Sequence, residues 1–356
     1  MPACLPVSPS ASLSAAEWHP AEVSPRMKSP RSLLLIKPGS MGDVIHTLPV
    51  VSALHAAWPA TEITWVIDPR WQPLLEGHPA IARLLPFPRE TFRGLSGSLS
   101  AAAWYGRLGD LRPEIAIDLQ GLLRSALIAR FSRAKRIYGL DDAREGSRFF
   151  YARTARTGLS EHAVDRYLHI LPEAGLEIPR EKDFRLWNLS DRARQSLPDS
   201  YIVLHPFARG AGKSLTGPAI TALVRSLLDA GIPSIALVGF GTPPPGLPDE
   251  VIDLTRKTTL AELAGILRDA RFAISVDSGP MHLAAALGTP LLGIHTWSDP
   301  RKVGPYSQSA WIWQGGQIRR QDLSMAPLIE APFTIEEAVK AGRFVADQLQ
   351  KLDFQS

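Results

Sequence analysis

The chain has 356 residues, 45% hydrophobic and 21% charged, the balance of an ordinary soluble globule long enough for two domains. Its 39 Lys and Arg against 35 Asp and Glu leave +4, too mild for a nucleic-acid coat and compatible with an anionic substrate or a membrane surface. A single cysteine, Cys4, excludes an intrachain disulfide and a cysteine-based metal site, and no apolar run reaches the roughly 18 residues that span a bilayer, so any membrane contact is peripheral.

Residues 1–31 are rich in Ala, Ser and Pro, show no helical or strand period, and lack the basic and apolar regions of a signal peptide. They are expected to be a disordered tail, with Met27 an alternative start. From Leu33 onward short apolar runs alternate with amphipathic ones. Strands are predicted near 33–37, 63–67, 114–118 and 135–138, with helices near 44–57 and 122–130, the pattern of βαβ units on a parallel sheet. A second series has strands near 201–204, 235–238, 272–275 and 291–294 and helices near 218–230, 259–269 and 280–287. The fold class is therefore α/β, with two doubly wound Rossmann-like domains at 32–174 and 199–330, joined by a polar, proline-bearing linker at 175–198. Ligands would bind in a cleft between facing carboxyl ends of strands.

The segment Lys37-Pro-Gly-Ser-Met-Gly-Asp43-Val-Ile-His46-Thr-Leu-Pro49 follows the first strand and opens a helix. Gly39 and Gly42 allow close backbone approach, and Asp43 is fixed where it can cap the helix or point into the cleft. On spacing alone both readings stand.

The run from Gly39 to Pro49 resembles the signature of the ADP-heptose:lipopolysaccharide heptosyltransferases, glycosyltransferase family 9. Ile117-Asp-Leu-Gln120-Gly121-Leu-Leu-Arg124-Ser125, His162-Ala-Val-Asp-Arg166 and Val276-Asp277-Ser278-Gly279-Pro-Met-His282 agree in order and spacing, and Ala143-Arg144-Glu145 is most similar to the branch that adds the first heptose. The resemblance covers about Ser32 to Tyr306. It implies a GT-B architecture, in which the amphipathic segment 335–352, within a C-terminal stretch 331–356, would return to the first domain. It implies inverting transfer of heptose from ADP-heptose to a 3-deoxy-manno-octulosonic acid (Kdo) residue of lipid A, at the cytoplasmic face of the inner membrane. Asp43 would be the general base. Gly42, Lys213, Thr258, Asp277, Ser278, Gly279 and His282 would bind the donor, and Ser40, Met41, Gln120, Arg124 and Arg144 the acceptor. No cofactor, metal or nucleic acid is implied. The basic run Arg124, Arg130, Arg133, Lys135, Arg136 reads as a solvated face or as a partner for acceptor carboxylates and phosphates. Trp71, Trp104, Tyr105 and 149–151 are core aromatics or an amphipathic rim for lipid.

Two features depart from the family pattern. Phe207-Ala-Arg209-Gly stands where hydroxyl residues precede the family's lysine, and Gly241-Thr-Pro-Pro stands where an acidic residue meets ribose. A related glycosyltransferase with another nucleotide sugar or acceptor, as in the second heptose transfer, is one alternative. A non-catalytic nucleotide-sugar-binding protein is another.

Other chemistries fit less well. Gly239-Phe-Gly241-Thr-Pro-Pro-Pro has prolines where a dinucleotide fingerprint needs its third glycine and helix. Gly212-Lys213-Ser214 resembles the end of a P-loop, as in a kinase, but Thr216-Gly-Pro218 reads as an N-cap, so the helix starts beyond the lysine. There is no Asp-x-Asp, and His46, His205, His282 and His295 lack ligand spacing. These histidines read as packing or hydrogen-bonding residues, with His282 promoted because the family places it at the donor.

Overall fold

A computed structural model describes residues 28–92, 94–158, 161–210, 212–322 and 330–353. The expectation for the tail falls almost wholly outside the described residues.

The first half contains β1 (Ser32–Ile36), α1 (Met41–Ala57), β2 (Glu62–Ile67), β3 (Arg83–Pro86), α2 (Gly94–Arg107), β4 (Ile115–Asp118), α3 (Leu123–Phe131), β5 (Arg136–Leu140), β6 (Arg153–Ala155), α4 (Ala163–Leu168) and α5 (Ile170–Glu173). Its six strands are all parallel in the order β3-β2-β1-β4-β5-β6. Leu33, Leu34, Leu35 and Ile36 are buried on both faces, as expected of a central parallel strand covered on each side.

The second half contains β7 (Ile202–His205), α6 (Gly217–Asp229), β8 (Ile235–Leu237), β9 (Val251–Asp253), α7 (Leu260–Arg268), β10 (Phe272–Val276), α8 (Gly279–Ala286), β11 (Leu291–Ile294), α9 (Pro300–Val303), β12 (Ala310–Gln314), β13 (Gln317–Arg320) and α10 (Ile335–Asp353). Its order is β13-β12-β11-β10-β7-β8-β9, which repeats the first half's winding and adds the antiparallel edge strand β13. The strand order switches direction between the parallel neighbours β1 and β4 in one sheet and β7 and β10 in the other, which makes the carboxyl ends of those pairs the two natural ligand sites.

Thr216 caps α6 by accepting from the Ala219 amide at 3.3 Å, so the helix begins beyond Lys213 and the P-loop geometry is absent. The α10 helix does not return to the first half. Its apolar stripe of Ala338, Ala341, Val345 and Leu349 packs on α6. Ser226 Oγ donates to the Val339 carbonyl at 3.0 Å, and Gly342 leaves room for that side chain, since a Cβ there would lie 2.6 Å from its Oγ. The stripe is complementary to α6, whose Ile220, Leu223, Val224 and Leu227 point the same way.

The halves meet along a packed seam. α1 lies on α8, Tyr306 donates to Asp165 across it at 2.9 Å, and Asn188 of the linker donates to the Pro73 carbonyl at 2.7 Å.

Candidate active site

Asp43 occupies the third position of α1, one residue inside the turn that leaves β1. Its Oδ2 accepts from the Ser40 amide at 2.7 Å and from Ser40 Oγ at 2.9 Å, the reciprocal bond of a capping box. Its Oδ1 accepts from the Tyr167 hydroxyl at 2.6 Å and lies 3.3 Å from Lys37 Nζ. The N-cap is therefore Ser40 and not Asp43, which closes the capping box from inside the helix and faces the seam with its side chain 31% exposed. Burial pushes its carboxyl up, but the Lys37 ammonium and the Tyr167 and Ser40 bonds outweigh burial and hold it below the usual carboxylate range. Lys37 is buried at the end of β1, donates to the Leu119 carbonyl at 3.0 Å, and stands 4.5 Å from the centroid of the Tyr167 ring. Burial lowers its pKa and the Asp43 carboxylate opposes that.

Across the seam stands the turn after β10. Ser278, at the N-cap of α8, bonds His205 Nδ1 at 3.1 Å. Gly279 opens the helix with no side chain because Met41 lies there: a Cβ would be 2.3 Å from the Met41 sulfur. Gly42 is small for the matching reason, as a Cβ would be 2.4 Å from His282 Cδ2. His46 Nε2 and His282 Nδ1 are 3.0 Å apart, and His282 Nε2 is 3.8 Å from Asp277 Oδ1. The carboxylate favours the proton on His282 Nε2, so His46 donates to Nδ1. Burial holds His282 down to about 4 and His46 well below its ordinary value, so both rings are neutral near pH 7 and His282 offers an N–H rather than a charge.

Beside Ser40 opens a cavity of about 190 Å³ whose walls include Arg70, Trp71, Arg89, Gln120, Arg124 and Arg209, with Asp68 its single carboxylate. Four guanidinium groups against one carboxylate give its wall an excess of positive charge, although Arg70 is paired with Asp68 and Arg89 lies 3.6 Å from Glu90. Gln120 is set there by Asp118, which is buried at the end of β4 and accepts from the Gln120 and Gly121 amides at 2.9 and 3.1 Å and from Tyr151 at 2.7 Å. Burial raises the Asp118 pKa against those bonds.

The family model for glycosyltransferase family 9 (heptosyltransferase) matches residues 105–325. The chain belongs to this family. A lipopolysaccharide heptosyltransferase 1 from Pseudomonas aeruginosa is 30% identical over 298 residues, covering 78% of this chain and 82% of its own. Among solved structures, the Escherichia coli heptosyltransferase WaaC with ADP is 26% identical with a TM-score of 0.70, covering 89% of this chain and 99% of that one. The same WaaC with ADP-2-deoxy-2-fluoro heptose is 25% identical, also with a TM-score of 0.70 and the same coverage.

In this family 9 glycosyltransferase most of the sequence-predicted residues fall into two groups. Asp43, Gly42, Asp277, Ser278, Gly279 and His282 converge at the seam. Ser40, Gln120 and Arg124 line the cavity. Met41 is 5% exposed, packs on Gly279 between the halves and is outside the cavity wall. Arg144 is exposed on the loop beside Gly121, whose carbonyl accepts from its amide at 2.8 Å, and is outside the cavity wall. Asp141 and Glu145 are engaged elsewhere, by Thr157 and by the Leu123 amide, so the loop does not hold Arg144 through them. Lys213 lies in the loop after β7 with Nζ 3.4 Å from the centroid of the Trp297 ring. Thr258 precedes Thr259, the N-cap of α7.

Sequence reasoning missed Lys37, Tyr167, Arg70, Arg209 and Trp297. Tyr167 stands one residue beyond the His162–Arg166 segment, and Lys37 directly follows β1, a cation opening the same strand-to-helix turn that holds Asp43.

Proposed function

We propose that the enzyme transfers L-glycero-D-manno-heptose from ADP-heptose to a Kdo residue of the lipid A inner core with inversion, in lipopolysaccharide biosynthesis. The observation that carries this is an ionised Asp43 at the seam, with a cationic cavity on one side and the Asp277–Gly279 turn on the other. The names of the relatives, and the ADP-sugar analogue in the WaaC structure, support the donor and the chemistry. In this reading residues 32–174 form the acceptor half, 199–330 the donor half and 175–198 the connection.

A carboxylate has roughly four lone-pair positions, and Lys37, Tyr167 and the two Ser40 donors address them all. An acceptor hydroxyl must therefore displace one donor. Ser40 Oγ is the group that can turn away, since it lines the cavity and its hydroxyl rotates freely while the other three are fixed by backbone or burial. The incoming hydroxyl then takes its place at Asp43 Oδ2 and gives up its proton there as its oxygen attacks the anomeric carbon and ADP leaves. Lys37 and Tyr167 keep Asp43 ionised and oriented. Lys213 leaves Trp297 to neutralise the diphosphate, helped by the His282 N–H and the amides at the start of α8. Thr258 stands near the adenosine, Asp277 and Ser278 hold the heptose, and Gly42 and Gly279 let the halves close on each other.

Among the described residues no helix is long and apolar enough to cross a membrane. We assign the enzyme to the cytoplasmic face of the inner membrane, in peripheral contact with it, where its acceptor is anchored. Incubation of purified protein with ADP-heptose and a deacylated Kdo-bearing acceptor, followed by ADP release and product mass, tests the proposal. A glycosylated product supports it, and ADP release without acceptor dependence refutes it.

A further inference from the structure

The geometry points to Arg209 as an acceptor-binding residue supplied by the donor half, so that an anionic sugar acid is gripped across the cleft by guanidinium groups from both halves. This rests on reading the cavity as the acceptor site.

Arg209 belongs to the loop after β7, the loop that carries Lys213. The two cations diverge. Lys213 Nζ is over Trp297 of its own half at 3.4 Å, whereas the Arg209 guanidinium is 5.8 Å from the Trp71 ring of the other half. Gly210 at φ 99° and Gly212 at φ 76° supply the left-handed backbone between them. Trp71 is itself held against the catalytic turn, because a Cβ on Gly39 would lie 2.9 Å from its Nε1. Arg70 approaches the same ring at 5.4 Å but is committed to Asp68 by two bonds of 2.8 and 2.6 Å. Arg124 and Arg209 have no ion pair among the described residues, and both line the cavity. The charges available to a ligand thus include one from each half. The planar forks of Arg suit bidentate capture of a carboxylate or phosphate on a sugar, and the cleft must be closed for a single anion to touch both.

The test uses the full chain, Arg209→Ala and Arg209→Lys. Arg209→Ala is expected to raise the KM for deacylated Kdo-bearing acceptor about tenfold and to weaken its equilibrium binding, measured by calorimetry, by a similar factor. ADP affinity should stay within twofold of wild type, and Arg209→Lys should recover only part of the loss. Unchanged acceptor binding, or weakened ADP binding, would overturn the inference and give Arg209 to the diphosphate beside Lys213. If wild type binds the acceptor without turning it over, the transfer reading fails while the calorimetric comparison still decides Arg209.

Discussion

Replacing Tyr167 with Phe removes one hydrogen bond to the base and almost nothing else, because the side chain is 2% exposed and the ring is retained. The lost bond is 2.6 Å long and ends on Asp43 Oδ1, a charge-assisted contact of about 1.5 to 3 kcal/mol. At about 1.4 kcal/mol per pH unit, its removal should raise the Asp43 pKa by about one to two units. The sign follows from the native state. The Tyr167 and Ser40 bonds and Lys37 hold the carboxyl below its ordinary range, so taking one donor away moves the protonation step upward. The acid limb of kcat/KM, which reports the free enzyme's base, should therefore move to higher pH by that amount. The assay is ADP release at subsaturating acceptor from the lowest pH at which both proteins stay folded up to about pH 9, so that the foot of the wild-type limb is included. An acid limb that stays in place, with a folded variant, would refute the assignment of Asp43 as the titrating base or of Tyr167 as its partner.

The remaining expectations concern the two ligand sites and the seam. Lys213→Ala should weaken ADP binding by roughly 1.5 to 3 kcal/mol through loss of a charge-assisted contact, and calorimetry showing unchanged affinity would return Lys213 to its place over Trp297. Arg124→Ala should raise the acceptor KM about tenfold and more than Arg144→Ala, since only Arg124 lines the cavity; the reverse order would move acceptor binding to the Arg144 loop. Gly42→Ala puts a methyl group 2.4 Å from a buried His282 ring carbon, so it should cost about 1 to 3 kcal/mol, read as a lower Tm, and an unchanged Tm would mean that the seam is looser than drawn.

The central strands and the helices between them were legible because they are continuous apolar runs or amphipathic stripes. The edge strands were not. β3 is four residues ending in Pro86 and only half-buried, and β9 has three residues, so neither carries enough periodicity to stand out from a loop. The α2 segment, with six of its fourteen residues Gly or Ser, offers little helical propensity and owes its form to Trp104 packing on Phe87 and Phe92. At the site, Asp43 and the Asp277–His282 turn were readable because each is a compact βα junction. Tyr167, Trp71 and Arg209 act through contacts with residues distant in sequence, as in the 124-residue separation between Tyr167 and Asp43, and no local pattern encodes such pairs. The α10 helix was misassigned for a related reason: its stripe declares an amphipathic helix but not which neighbour it covers.

The most direct test of the account compares wild type and Asp43→Asn with ADP-heptose and a deacylated Kdo-bearing acceptor, measuring turnover, product anomeric configuration and ADP affinity on the same preparations. The account predicts an inverted glycoside from wild type, turnover at least about a hundredfold lower in the variant, and nearly unchanged ADP binding. Equal turnover in the two proteins, or a product of retained configuration, would contradict it.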